Sequence, residues 1–187
     1  MDTMTIEELK AGIQDKDAAV RTQTWQDAAK LGAAGIAPLA EITESGELEV
    51  HRAAERGLWA IVRHAGRPGA GDDRKAVCEA LTTLLKPERP ETLRRQVAWM
   101  LSEIGDSDAV AALSVQLADP VLREDARMAI ERIPGEASVA ALKTALDTAD
   151  DDFKPSLAQG LRARGVDVEG IPCEKLVPTR ETEVEAR

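Results

Sequence analysis

Five stretches of this chain carry the same spacing of apolar positions. With Val20, Val50, Leu93, Leu122 and Phe153 as position zero, position four holds Thr24, Ala54, Val97, Ala126 and Leu157, and position eight holds Ala28, Leu58, Leu101, Ile130 and Leu161. Position eleven holds Leu31, Ile61, Ile104, Ile133 and Arg164. With about 3.6 residues per turn these offsets fall on one side of a helix, so each stretch predicts an amphipathic helix with a single buried stripe. Between the five runs a second periodic set: Leu9 and Ile13, Leu39 and Ile42, Leu81 and Leu85, Leu113 and Leu117, Leu142 and Leu146. Each repeat is therefore expected to be a helix pair.

Position twelve is Gly32, Val62, Gly105, Pro134 and Gly165, where most of these helices should stop. Pro38, Pro90, Pro120 and Pro155 fall in expected first turns, where a missing N–H costs nothing. Asp17, Asp119 and Asp150 stand three residues before their starts, placed to cap the helix and meet the positive end of its dipole. The starts are 30, 43, 29 and 31 residues apart. The long interval contains the glycine-rich run 66–73, expected to be a flexible connector whose Asp72 or Asp73 caps the next helix. The pattern ends at Gly165, which divides the chain into a repeat array over 1–165 and an extended tail over 166–187. In the tail Val166, Val168, Ile171, Leu176 and Val177 are expected to cover the last helix pair, and Thr179 onward is expected to be disordered.

Composition narrows this picture. The 187 residues fit one domain or one short array, and a chain with 43% hydrophobic but only 2% aromatic residues must build its core from Ala, Leu, Ile and Val, which suits close-packed helices. A net charge of -10 disfavours attraction of the whole surface to nucleic acid or anionic lipid. Residues 1–14 are acidic and amphipathic with no apolar leader core, and no run approaches the roughly 18 apolar residues of a membrane span, so a cytoplasmic protein is expected. The two cysteines, Cys78 within a helical pattern and Cys173 in the tail, have no metal-ligand spacing and read as free thiols.

The run Asp-Ala-Ala-Val-Arg at 17–21 and the run Leu-Arg-Arg-Gln-Val-Ala-Trp-Met-Leu-Ser-Glu-Ile-Gly at 93–105 resemble the HEAT repeat family, in particular its short variety named after phycobiliprotein lyases. The resemblance covers roughly residues 5–165. It implies an all-α fold: a right-handed α-solenoid of about five helical hairpins, a HEAT/ARM-like superhelix, followed by the tail. Thr24 and Arg164 depart from the small apolar and aliphatic residues of their columns, as terminal repeats that cap a stack often do. Such repeats serve many unrelated tasks, so they speak to fold more than to function.

Candidate chemistry is sparse. His51 and Glu55 lie four apart on one helix but lack a third ligand, and the bland reading is a helical ion-pair neighbour. Deoxyhypusine hydroxylases place His-Glu pairs in HEAT-like repeats to hold iron; no His-Glu pair occurs here. The glycines of 66–73 are followed by two aspartates and no Lys-Ser/Thr, and no nucleophile elbow, Cys-x-x-Cys or dinucleotide fingerprint is present. Neither catalysis, a metal nor a cofactor is expected. Position one is Arg21, His51, Arg94, Arg123 and Lys154, read as a structural ladder in which Arg21 meets Asp17 and Arg123 meets Asp119.

Offsets two, six, nine and thirteen lie opposite the stripe. They hold Arg52, Arg56, Trp59 and Arg63 in the second repeat, Arg95 and Trp99 in the third, and Met128 in the fourth. The second helix of a HEAT-like hairpin lines the concave side, so the resemblance would gather these seven residues in one groove suited to an acidic or planar anionic ligand. The expected function is a non-enzymatic scaffold or adaptor, monomeric, that binds a protein or peptide with acidic segments on its concave surface. The alternatives are a bilin lyase-like protein or tetrapyrrole-protein chaperone, suggested by the repeat subtype, and nucleic-acid binding of the kind seen in HEAT-like alkylpurine glycosylases, against which the charge of -10 counts.

Overall fold

The computed structural model describes residues 4–172; Cys173, Leu176, Val177 and everything from Thr179 onward lie outside the described residues. Ten α-helices and no strands occur among the described residues. They are α1 (Ile6–Ile13), α2 (Ala18–Asp27), α3 (Ile36–Ser45), α4 (Leu48–Ala65) and α5 (Gly71–Thr82), then α6 (Glu91–Ile104), α7 (Ser107–Ser114), α8 (Arg123–Arg132), α9 (Glu136–Thr148) and α10 (Lys154–Ala163). Tighter 3-10 turns over Thr83–Leu85 and Val115–Ala118 extend α5 and α7, and a 3-10 run over Ala28–Gly35, broken at Gly32 where φ is +54°, joins α2 to α3. None of these helices is long and apolar enough to cross a membrane.

Local chemistry sets several of the ends. Thr5 and Glu8 form a reciprocal capping box at the start of α1. Asp17 caps α2 by accepting from the Ala19 N–H at 2.8 Å, and Asp106 caps α7. Asp119 and Asp150 do not act as expected. The Asp119 carboxylate closes a local turn onto the Val121 N–H at 2.9 Å, and Asp150 contributes only its backbone carbonyl to Phe153 and Lys154. Asp72 and Asp73 lie inside the first turn of α5 instead of capping it, because that helix begins at Gly71 and the connector is only 66–70. Pro38 and Pro155 occupy first turns, whereas Pro90 is the N-cap residue of α6 and Pro120 lies in the turn before α8. Val62, lacking the freedom of glycine, does not end its helix; α4 runs one turn further and stops at Gly66.

The two predicted helix sets pack in chain order. Each odd-numbered helix lies against the even-numbered helix that follows it. The odd helices touch in succession from α1 to α9, and the even helices touch in succession from α2 to α10. One continuous apolar seam from Leu9 to Leu161 runs between them. At position eight Ala28, Leu58, Leu101, Ile130 and Leu161 are all buried, and a fully buried Leu or Ile contributes roughly 1.5–3 kcal/mol. The first repeat is the loosest in the stripe: Val20 is exposed and Leu31 half-buried.

Both departures from the pattern have local causes. Thr24 is buried, its hydroxyl donates to the Val20 carbonyl at 2.8 Å, and it occupies space that any side chain at Gly12 of α1 would fill. Arg164 reaches back to the carbonyls of Glu131 and Gly135, tying the end of α10 to the end of α8. Beyond α10, Val166 and Val168 pack on the core as expected, held by Arg162, which donates to the carbonyls of Val168 and Ile171 at 2.8 and 2.6 Å.

Candidate interaction surface

The seven residues singled out opposite the stripe lie on three successive even helices: four on α4, two on α6 and one on α8. Trp99 is the most informative of them. Its side chain is 47% exposed, yet its Nε1 donates to Asp125 Oδ1 of α8 at 3.0 Å. Arg95, one turn earlier, approaches the other oxygen of the same carboxylate at 3.4 Å and donates to the Val121 carbonyl at 2.9 Å. An indole that would otherwise swing is thus pinned as a fixed apolar plate. Met128, half-buried, stands about one turn of α8 beyond Asp125.

On α4 the arrangement differs. Trp59 is half-buried and packs against the core, so its ring is turned less to solvent than the opposite-face reading implied. The Arg63 guanidinium sits over that ring, 5.5 Å from its centre. Arg52 pairs with Glu49 at 2.8 Å. Arg56 is exposed and has no hydrogen-bond or ion-pair partner among the described residues. No polar or ring contact among the described residues joins the α4 group to the α6 group, so the residues on α4 and α6 form two clusters on adjacent, touching helices.

The basic column is structural, but with other partners than expected. Arg21 donates to the carbonyls of Asp15 and Lys16 at 2.7 and 2.9 Å, not to Asp17. Asp119 belongs to Arg94 of the preceding hairpin, at 3.6 Å, while Arg123 reaches forward to Asp152 and covers the Phe153 ring at 4.7 Å. The reason is geometric: side chains at a helix start lean towards its N-terminus and overhang the connection, where the next hairpin presents its own acid. His51 Nδ1 lies 2.8 Å from the Thr43 carbonyl, and its Nε2 is 3.9 Å from Glu55.

Two features were missed by sequence reasoning. One is Asp125, the anchor of Trp99; its signal was an acid at offset three facing an arginine at offset two of the repeat before. The other is a pair of clefts. One, of about 520 Å³, lies between α7, α9 and the start of α10 and is lined by Leu117, Pro120, Arg123, Ala145, Asp150 and Phe153. The second, of about 560 Å³, lies between α5 and α7 and is lined by Leu85, Lys86, Arg94, Val115 and Asp119. Ala118 borders both.

Other reactive groups are accounted for by packing. Cys78 is buried and its Sγ donates to the Ile104 carbonyl at 3.0 Å. Burial, with the nearby charge of Asp106, pushes its thiol up to about 11, so it stays protonated and weakly nucleophilic at neutral pH. Among the described residues no three His, Cys, Asp or Glu side chains are placed to share a metal ion. No protein-family model and no curated protein matches this chain.

Proposed function

We propose that this chain is a HEAT-like α-solenoid of five hairpins that works as a non-enzymatic interaction module, presenting its even-numbered helices to a protein or peptide partner. The chain-order packing of odd on odd and even on even helices supports the stacked reading, because each hairpin then buries its stripe against the next. The observation that carries the binding reading is Trp99. A tryptophan held rigid by Asp125 and left half-open to solvent has lost its rotamer freedom in advance, so a partner that covers it gains the apolar burial at little further entropic cost. On the neighbouring helix the unpartnered Arg56 and the Arg63–Trp59 stack give the surface a preference for acidic segments.

The test is capture of the partner from the source cell by the wild-type chain and by Trp99→Ala and Arg56→Glu variants whose helical content and melting temperature match the wild type. A partner recovered with the wild type and lost from both variants is the expected result. Equal recovery by all three sinks the proposal for this face. Truncating a partly exposed aromatic anchor at an interface costs about 2 kcal/mol or more, roughly thirtyfold in affinity.

A further inference from the structure

The two clefts beside the fourth hairpin form a second apolar surface that the even-helix face does not use. They open on either side of the Val115–Ala118 turn, where α7 has already ended at Ser114 and the chain tightens before crossing to α8. The floor of the cleft towards the C-terminus is Ala141 and Ala145 of α9, where bigger side chains would have filled the space. Val115, on the wall of the cleft between α5 and α7, is 77% exposed, more than any other large apolar side chain among the described residues. A single exposed valine needs no explanation, but one bordering a cleft of about 560 Å³ that meets a second of about 520 Å³ at Ala118 adds to a contiguous apolar surface with room for aliphatic side chains.

Charge gives this groove its selectivity. Arg94 is neutralised by Asp119 and Arg123 by Asp152. Two charged lining groups have no ion-pair partner among the described residues: Lys86 in the third hairpin and Asp150 in the fifth, with the fourth hairpin between them. We infer that the groove docks an amphipathic segment of a partner protein, with aliphatic side chains in its middle, an acidic residue towards Lys86 and a basic residue towards Asp150. Helical segments reach such grooves with side chains at i and i+4, and opposite charges at the two ends select against segments of one sign.

The test uses the full chain and a fluorescently labelled 12-residue peptide with leucines at i and i+4, Glu at one end and Lys at the other, followed by anisotropy. Saturable binding to the wild type is expected. Ala145→Phe, which fills one cleft from its floor, should weaken it about tenfold, and Val115→Asp on the exposed wall should do the same without touching the core. A peptide with Lys at both ends should bind the wild type about fivefold more weakly, and Lys86→Glu should reverse that order. Trp99→Ala should bind the peptide unchanged, which separates this groove from the even-helix face. Absence of saturable binding below about 1 mM, binding to both cleft variants as tight as to the wild type, or an order of peptides indifferent to Lys86→Glu would overturn the inference.

Discussion

The outward faces of α4 and α8 occupy equivalent places in two repeats and are spent in different ways. On α8 three of the six charged side chains are tied to another hairpin. Asp125 holds Trp99 and Arg95 from α6, Glu124 accepts from Ser156 of α10 at 2.6 Å, and Arg123 engages Asp152 and Phe153. Arg127 bridges Glu124 and Glu131, and α10 can lie against that pair because Gly160 has no side chain to strike it. On α4 the corresponding groups stay within their own helix: Arg52 with Glu49, Arg63 on Trp59, and Arg56 with nothing among the described residues. The same repeat position can therefore serve as joinery or as free surface. What decides is whether the neighbouring hairpin offers a side chain of opposite sign within reach.

If this contrast is confined to the faces, the buried seam should treat both halves alike. Leu58→Ala in α4 and Ile130→Ala in α8 remove fully buried side chains at the same repeat position. Each should cost about 2–5 kcal/mol in urea unfolding, with both halves melting together. A large loss at one site and almost none at the other would show two separately folding halves and end the comparison.

A smaller effect should separate the faces themselves. Arg123→Ala uncovers the Phe153 ring and frees Asp152, with an expected cost of about 1–2 kcal/mol, most of it from lost cover over the ring, since the carboxylate partner is largely exposed. Arg56→Ala removes a side chain that touches no polar partner among the described residues and should change stability by less than about 0.5 kcal/mol. Urea midpoints of the two variants measure the difference directly. Equal midpoints would mean that α8 is no more joined than α4.

The seam was legible in the sequence because burial follows a period: Leu101 and Ile130 recur at position eight whatever surrounds them. Side-chain partners were less legible. Arg123 was assigned to Asp119 by nearness along one helix, but a long side chain leaning past its helix start meets whatever lies beside it, and that is set by how hairpins stack. The same limit hid Asp125 behind Trp99. The clefts were not legible at all, because an empty volume comes from small residues such as Ala141 and Ala145 facing an early helix end, and Ala on a helix carries no sign of what it fails to fill.

The smallest predicted effect concerns acid. Burial works against charge on Glu124, but the hydrogen bonds from Ser156 and Arg127 and the positive charges of Arg127 and Arg123 outweigh it and hold its carboxyl below the ordinary 4.5. A carboxylate with a lowered value in the folded chain stabilises that chain fully above the ordinary value, and the contribution fades as pH falls through the lowered one. The joint between α8 and α10 should thus weaken below pH 4.5, while the Arg63–Trp59 stack of α4, which contains no carboxylate, should not. Since Glu124 is largely exposed, the contribution stays below about 1 kcal/mol. Glu124→Gln should lose less stability than the wild type as pH falls below 4.5, and Ser156→Ala should fall between them. Parallel pH profiles for all three chains would show that this carboxylate does not join the two helices.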